Sequence, residues 1–492
     1  MTVLAQKARL SVAWTTGLNV LRDATQFGLM LVLVRLLPVE AYGQFGLINT
    51  IVGFMMVFSS REFIAHTLLV RDDREVNYQE QFTAGCVIQG TLFIAANIAA
   101  VVLRYFPTYA PIAPLLHVMS ISFLLDLPSE LRTKMLERSL DWRRLRTIEA
   151  CGVVGSAALT LGLALAGANV YALLIPAFTI PAAFAFDLFV IARWRPTFGW
   201  HAGRYQASRA FGVKRVLSVS FVSASNLLES SVLAKAVGYA MLGIFGRAFG
   251  MATLFCQRIA SLLMSALYPV LARIPPRSEA YRRGSALVLR VVAWLVIPIA
   301  TLVSLLADRI VGTLYGTRWM SVIPLVPWAM AVGALLAVVQ AAYSLLLAHQ
   351  EPRKCLYADV WRLAGMAAGL LVALPFGLTA YIGSLIVVHG VAFGLVTFWL
   401  AQSGGVDLKG IVSAIVPAAA ATVLSAIAAE VTRALLLRDM PAIPLMAIYG
   451  IVFGGTYLGS LRLFFAPLLH ELVGYLPEAR RVNRLLGFAQ AA

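Results

Sequence analysis

Runs of 18 or more mostly apolar residues recur from one end of this 492-residue chain to the other, and nothing constrains its fold more. Wound as a helix, a run of that length crosses about 30 Å of hydrocarbon. Composition agrees. Hydrophobic residues make up 60% of the chain and charged ones only 13%, with a mean hydropathy of +0.83. A soluble chain of this length would approach a quarter charged residues. The expected fold class is an all-α polytopic membrane protein of about fourteen transmembrane helices, running from 11–36 through to 442–464.

A net charge of +17 suggests nucleic-acid binding until the basic residues are placed. They cluster in loops on alternate sides of the apolar runs, as membrane topology demands. With the N-terminus cytoplasmic, that face carries the basic segments 132–146, 193–215 and 273–290, then Arg353–Lys354 and the tail residues Arg480, Arg481 and Arg484. The other face has Arg104, Lys235, Arg309, Arg318, Arg433 and Arg438. The positive-inside rule then puts both termini in the cytoplasm, and no nucleic-acid partner is needed to account for the charge. No cleavable signal is expected in the opening MTVLAQKARL stretch. Cys86, Cys151, Cys256 and Cys355 are widely spaced, so neither a disulfide framework nor a metal site is implied.

A weak internal repeat organises the chain. Asn19–Gln26 (NVLRDATQ) and Ala41–Gly46 (AYGQFG) are echoed by Asn226–Leu233 (NLLESSVL) and Ala240–Gly246 (AMLGIFG), offset by close to 200 residues. Both copies start on the same side of the membrane. Two parallel six-helix lobes related by a pseudo-twofold along the membrane normal follow, a common transporter plan. The expected divisions are a lobe at 1–205, a second at 206–405, two additional helices at 406–464 and a cytoplasmic tail at 465–492.

Charges inside apolar runs are functional candidates by default, because hydrocarbon tolerates them only where they face protein or water. Arg247 lies within YAMLGIFGRAFGMATLFC. The first span carries Thr15, Asn19, Arg22 and Gln26 on one helical stripe, with Asp23 about 100° round from Arg22. The seventh offers Ser218, Ser225 and Glu229 on one face, with Asn226 beside it, and Lys235 near its outer end. Arg247 and Arg258, eleven residues apart, are expected on a common stripe that Ser261 and Ser265 continue.

Two readings of these charges stand. Arg22, Asp23 and Glu229 form a packing lock between the first helices of the two lobes. Alternatively the lobes enclose a wet, cationic cavity whose arginines grip phosphate through paired hydrogen bonds. Arg247 aligns with Leu47 in the first repeat, so the symmetry of the fold does not require it. Arg61 and Glu62 are read as snorkelling at a span end. Asp126, Asp187, Asp359 and Arg362 are read as lying near water. His66, His117, His349 and His389 make no metal set. The chain has no nucleophile elbow, P-loop or HExxH, so no enzyme is expected.

Several stretches together resemble polysaccharide transporters of the MOP superfamily, the Wzx and WzxC-like flippases. They are VRLLPVEAYGQFGLINTIVGF after the first span, GANVYALLIPAF, and RWRPTFGW followed by FGVKRVLSVSFVSASNLL. LGIFGRAFGMATLFCQRIASLLMSALYPVLARI matches best, and GLTAYIGSLIVV closes the series. Ser60-Arg61-Glu62 departs from the small, glycine-containing segment of relatives. The resemblance implies a flippase that moves a polyprenyl-pyrophosphate-linked oligosaccharide between leaflets for surface or exopolysaccharide biosynthesis. Membrane lipid and other polysaccharide-assembly proteins would be its partners. Arg22, Arg247, Arg258, Asn19, Gln26 and Lys235 would then meet the headgroup. Asp23 and Glu229 would couple transport to H+ or Na+, and no cofactor is implied.

The alternatives are a multidrug/cation antiporter or a peptidoglycan lipid-precursor flippase of the same superfamily. An antiporter for cations would favour carboxylates and aromatics over arginines. A membrane polymerase or ligase would need a larger outer catalytic loop than 308–321.

Overall fold

In the computed structural model the described residues are 2–68, 70, 76–199, 202–349, 351–436 and 440–474, and among them the secondary structure is helical. Helix is the solution that satisfies each backbone N–H and C=O within its own segment, which hydrocarbon requires. Among the described residues twelve helices are long and apolar enough to cross a membrane, or thirteen if Val39–Met56 and the bent continuation Arg61–Leu68 count as one span. The stretch Val219–Ser265 passes as a single unit of 47 residues. It is broken at Gly238, whose φ of 81° and ψ of 171° lie outside helical space. Glycine reaches that conformation without a Cβ penalty.

The long helices are α1 (Thr2–Leu36), α2 (Val39–Met56), α3 (Tyr78–Leu103), α4 (Ala113–Arg138), α5 (Trp142–Leu165) and α6 (Val170–Ile191). Then come α7 (202–237), α8 (239–271), α9 (Glu279–Leu305) and α10 (Thr317–Ala348). The last four are α11 (Pro352–Val372), α12 (Leu378–Gln402), α13 (Leu408–Leu436) and α14 (Ala442–Phe464). A short helix, α15 (Ala466–Gly474), follows. The tail arginines Arg480, Arg481 and Arg484, and Arg438, lie outside the described residues.

Helix starts differ between alternate spans. Asn77, Asp141 and Ser278 cap α3, α5 and α9 with side-chain oxygens that accept N–H bonds of the first turn. By contrast α2 and α14 begin after Pro38 and Pro441, and α4 has a proline in its first turn. Proline fits there because the N–H it lacks has no partner in the first turn anyway. On α3 the apolar residues Val87, Ile94 and Ile98 are each about 60% exposed or more, one stripe at helical spacing. That stripe suits contact with lipid.

Packing divides the chain into two compact units, Met1–Gly243 and Ile244–Ala492. In the first, Ile64, Phe82, Leu127, Leu131 and Leu188 form a buried cluster, and Leu136, Leu145 and Phe184 another. In the second, Leu306, Ala429, Leu445, Tyr449 and Phe453 join the end of α9 to α13 and α14. The boundary expected at 205/206 followed the repeat. The packing boundary falls later because α7 lies with the first unit: Ser208 accepts from Gln81 Nε2 at 2.9 Å, and Gly212 sits against the Phe63 ring. Where the second span was expected over 42–60, helix α2 stops at Met56 and the chain bends by 47° into Arg61–Leu68.

A buried charge network and a stacked arginine

Helix α1 is unbroken, so Asn19, Arg22 and Gln26 share a face, as their spacing predicts. The Thr15 and Ser218 side chains lie outside the described residues. Arg22 is largely covered, with 20% of its side chain exposed, and donates from Nη1 to Glu149 Oε1 of α5 at 2.6 Å. Its Nε donates to Asp23 Oδ1 at 2.9 Å. Glu149 Oε2 accepts from Arg146 Nη1, also at 2.6 Å. The result is a charge-balanced chain, Asp23–Arg22–Glu149–Arg146.

The expected lock joined Arg22 and Asp23 to Glu229, whereas the ion pairs of Arg22 run to Asp23 and Glu149. Sequence reasoning missed Glu149. Its signal was a carboxylate at the head of an apolar run, three residues after Arg146. Glu229 is half-buried on α7, while Gln26 and Lys235 are exposed and Asn19 is half-buried.

A second network corrects the reading of Arg61 as a snorkelling residue. Its Nη2 lies 2.5 Å from Asp126 Oδ1 and its Nε 3.5 Å from Glu130 Oε2. Asp126 is 3% exposed, and its other oxygen accepts from Gln89 Nε2 at 3.0 Å. Asp187, equally buried, accepts from Arg132 Nε at 2.6 Å and Arg144 Nη2 at 2.9 Å. Asp126 lies well inside α4, whereas Asp187 is in the last turn of α6, near a span end as expected. Both are buried where two or more helices meet, so water is replaced by guanidinium donors. Arg138 donates to the carbonyls of Thr67 and Val70, tying down the chain after α2.

In the second unit, Arg247 lies over an aromatic ring. Its Cζ lies 5.8 Å from the ring centroid of Trp319, which is fully buried and pairs edge-on with Tyr315 at 6.1 Å. Burial pushes the Tyr315 phenol up, and the charge of Arg247 opposes that shift. A guanidinium over an indole face gains about 0.5–2 kcal/mol, more where water is excluded.

Arg258 is exposed and does not share Arg247's face. Residues Thr253–Gln257 form a π-helical turn between them. A wide turn takes up one extra residue, so eleven residues advance about as ten would, roughly 80° short of a common stripe. Arg258, Ser261 and Ser265 remain exposed together beyond that turn.

Elsewhere in this unit, Asp359 accepts from Tyr343 Oη at 2.9 Å and lies 3.5 Å from Arg362 Nη1. These groups sit two turns or more inside α11, not at its end. Arg290, at the edge of an expected basic segment, is buried within α9 and donates to Glu471 of α15 at 2.5 Å. Among the described residues no group of His, Cys, Asp and Glu could hold a metal ion.

The profile of a family described as polysaccharide biosynthesis protein matches residues 32–324. The chain is 22% identical over 346 residues to the lipopolysaccharide biosynthesis protein WzxC of Escherichia coli (strain K12), covering 69% of this chain and 66% of that protein. It is 24% identical over 326 residues to the succinoglycan biosynthesis transport protein ExoT of Rhizobium meliloti (strain 1021), covering 65% and 64%. The chain thus spans just under two thirds of the length of these curated relatives. In fold it is similar to the lipid II flippase MurJ in an inward closed conformation, with a TM-score of 0.68 at 10% identity over 92% of this chain and 100% of that one. An inward-facing multidrug resistance transporter of the MATE family in the MOP superfamily gives 0.59 at 14% identity over 78% and 97%.

Proposed function

This chain belongs to the polysaccharide biosynthesis protein family, and from that premise we propose that it is a flippase for a polyprenyl-pyrophosphate-linked oligosaccharide. It moves the headgroup from the inner to the outer leaflet of a bacterial inner membrane, both termini being cytoplasmic, and serves surface or exopolysaccharide assembly. The observation that carries this reading is the family match over 32–324 on a chain with at least twelve membrane-length helices. Two relatives named for lipopolysaccharide and succinoglycan biosynthesis support it. The fold is shared with transporters of quite different cargo, so cargo is argued from residues and not from fold.

A pyrophosphate needs paired N–H donors in a site shielded from water, and arginine supplies them from the edge of its fork. Arg247 is the leading contact: its guanidinium lies over the Trp319 ring, Cζ 5.8 Å from the centroid, and the edge of its fork donates to the pyrophosphate. Arg22 contributes by exchanging a carboxylate oxygen of Glu149 for one of phosphate. Asn19, Gln26, Arg258 and Lys235 complete the headgroup contacts, and Asp23 with Glu229 couples movement to H+ or Na+. Alternating access carries the headgroup across while the lipid tail stays in hydrocarbon. The test is translocation of a labelled lipid-linked oligosaccharide in proteoliposomes, with and without ion gradients. Transport of cationic drugs but not of the labelled lipid would refute the reading.

A further inference from the structure

Between α6 and α7 the chain crosses the head of α3 as a strap without helix, residues 193–199 (RWRPTFG). Pro196 drives Arg195 toward the extended region, because its ring clashes with a helical residue before it. Side chains of α3 then serve the strap as a neighbouring strand would. The Gln79 amide donates from Nε2 to the Arg195 carbonyl at 3.0 Å and accepts from the Thr197 N–H at 2.7 Å. Thr83 Oγ1 accepts from the Gly199 N–H at 3.3 Å. All of this lies within the first compact unit.

The strap has an aromatic side and a cationic side. Trp194 and Phe198 pack on the Phe82 ring of α3, with centroids at 5.4 and 6.0 Å. Arg193 and Arg195 are exposed, and no more than about 7 Å of chain separates them. Arg193 turns the chain out of α6 at a φ of 51°. Glycine would make that turn without the steric penalty of an L side chain, so the guanidinium is kept at a cost to the backbone. Among the described residues neither guanidinium meets a carboxylate. The nearest one along the chain, Asp187, is taken up by Arg132 and Arg144.

Below the strap runs an apolar lane. Thr83, Val87, Ile94 and Ile98 share one stripe of α3, and the last three are exposed. Gly199 is held level with Thr83, about 6 Å above Val87 along the helix axis. Arg195 is held level with Gln79, one turn nearer the water. Phe198, 73% exposed, stands between the two levels. Chain-bearing lane, aromatic step and paired cations follow one another in the order of the parts of a phospholipid.

We propose that the strap is a binding site for an anionic phospholipid of the surrounding bilayer, cardiolipin above all. An acyl chain lies along Val87 and Ile94, the ester region meets Phe198, and the phosphates meet Arg193 and Arg195. Two guanidinium forks suit two phosphates carried on separate carbons of one glycerol, whereas a pyrophosphate, whose phosphates share an oxygen, is matched by one fork. The cytoplasmic leaflet assigned to this lipid rests on the orientation given with the flippase reading. Binding itself is measurable without cargo or transport.

The experiment titrates the delipidated full chain in detergent with cardiolipin and reads the affinity of the first bound lipid by native mass spectrometry. Cardiolipin should bind more tightly than phosphatidylcholine. Arg193→Gln combined with Arg195→Gln should weaken cardiolipin about 10- to 30-fold, the share of two surface cations in attraction to anionic lipid, and leave phosphatidylcholine unchanged. Arg282→Gln combined with Arg283→Gln removes as much exposed charge from α9 and should leave the first site unchanged. Gln79→Ala keeps both arginines but unpins the strap, and should weaken cardiolipin by about 3-fold or more, because the strap must then be ordered on binding. Equal losses in the two double variants would overturn the proposal, leaving general charge attraction. So would wild-type affinity in Gln79→Ala, or displacement of cardiolipin from the strap by a lower concentration of an unglycosylated polyprenyl pyrophosphate, which would make it a cargo site. Cardiolipin binding as expected in a protein that moves no lipid-linked oligosaccharide would count against the flippase reading and not against the lipid site.

Discussion

Whether Arg22 holds helices together or holds cargo is decidable by a double-mutant cycle with Glu149. Reversing both charges is a poor test, because it would set a carboxylate at position 22 beside Asp23 and a guanidinium at 149 beside Arg146. Neutral partners avoid this: Arg22→Met, Glu149→Gln and the pair. At roughly 4 Å between charge centres and an effective dielectric constant near 20, the attraction is about 4 kcal/mol before desolvation. Removing one partner of a fully buried pair costs about 3–5 kcal/mol. Here the side chains are 20% and 22% exposed and each keeps a second partner, Asp23 or Arg146. That lowers the expected loss to about 1–3 kcal/mol for either single change, with Glu149→Gln the milder because the amide oxygen still accepts a hydrogen bond while Met donates none.

The double variant should lose less than the sum of the two by about 1 kcal/mol or more, read as thermal unfolding of purified protein by tryptophan fluorescence. A coupling below about 0.3 kcal/mol would refute the ion-pair reasoning. Transport in proteoliposomes then separates the roles. If Arg22 only locks helices, transport per folded molecule is kept in all three variants. If Arg22 also meets pyrophosphate, the two variants that lack it lose transport per folded molecule while Glu149→Gln keeps it.

Further outcomes are expected elsewhere. Arg247→Ala should abolish translocation while the protein stays folded, and Arg247→Lys should restore only part, because an ammonium cannot both stack on Trp319 and donate in a fork; wild-type transport by the alanine variant would sink the assignment. Glu471→Ala strands the buried Arg290 with a 3.3 Å contact to Ser413 and should destabilise by about 1–3 kcal/mol in thermal unfolding. Glu279→Ala, which loses only exposed pairs with Arg282 and Arg283, should lose under about 1 kcal/mol. Burial holds the His349 imidazole, between α10 and α11, below its ordinary value of 6.5. Folding therefore favours its neutral form, and the stability it contributes is present above pH 6.5 and lost as pH falls toward the folded value. His349→Asn should flatten that stretch of the stability–pH curve, and an unchanged slope would refute it.

The fold was largely legible because a bilayer leaves so few choices: an apolar run of sufficient length is a helix, and loops between runs sort by charge. What hydropathy cannot see is where a helix bends while staying apolar. Helix α2 and its bent continuation are continuous in hydropathy, yet Ser59 and Ser60 turn the chain, and Arg61 is thereby aimed at Asp126. Side-chain contacts of α7 were equally hidden, for Ser208 bonds back to Gln81 and His66.

The candidate site shows the same division at the scale of a single turn. Asn19, Arg22 and Gln26 lie on an unbroken helix, where a period of 3.6 residues holds across their spacing. Arg247 and Arg258 were placed by the same rule and are separated by it failing once, at the π-turn 253–257. No residue in TLFCQ announces a wide turn, since its hydrogen bonds depend on what packs around it. Partner choice was equally hidden. The sequence offered Arg22 a carboxylate on α7, and the carboxylate that reaches it is on α5, because α1 packs along α5 within the first unit. A charged residue in an apolar run therefore says that a partner exists, while the partner's identity is a property of helix packing. For this reason Arg247, lying over the ring of Trp319 from a helix some seventy residues away, is better evidence of a constructed site than a stripe shared with Arg258.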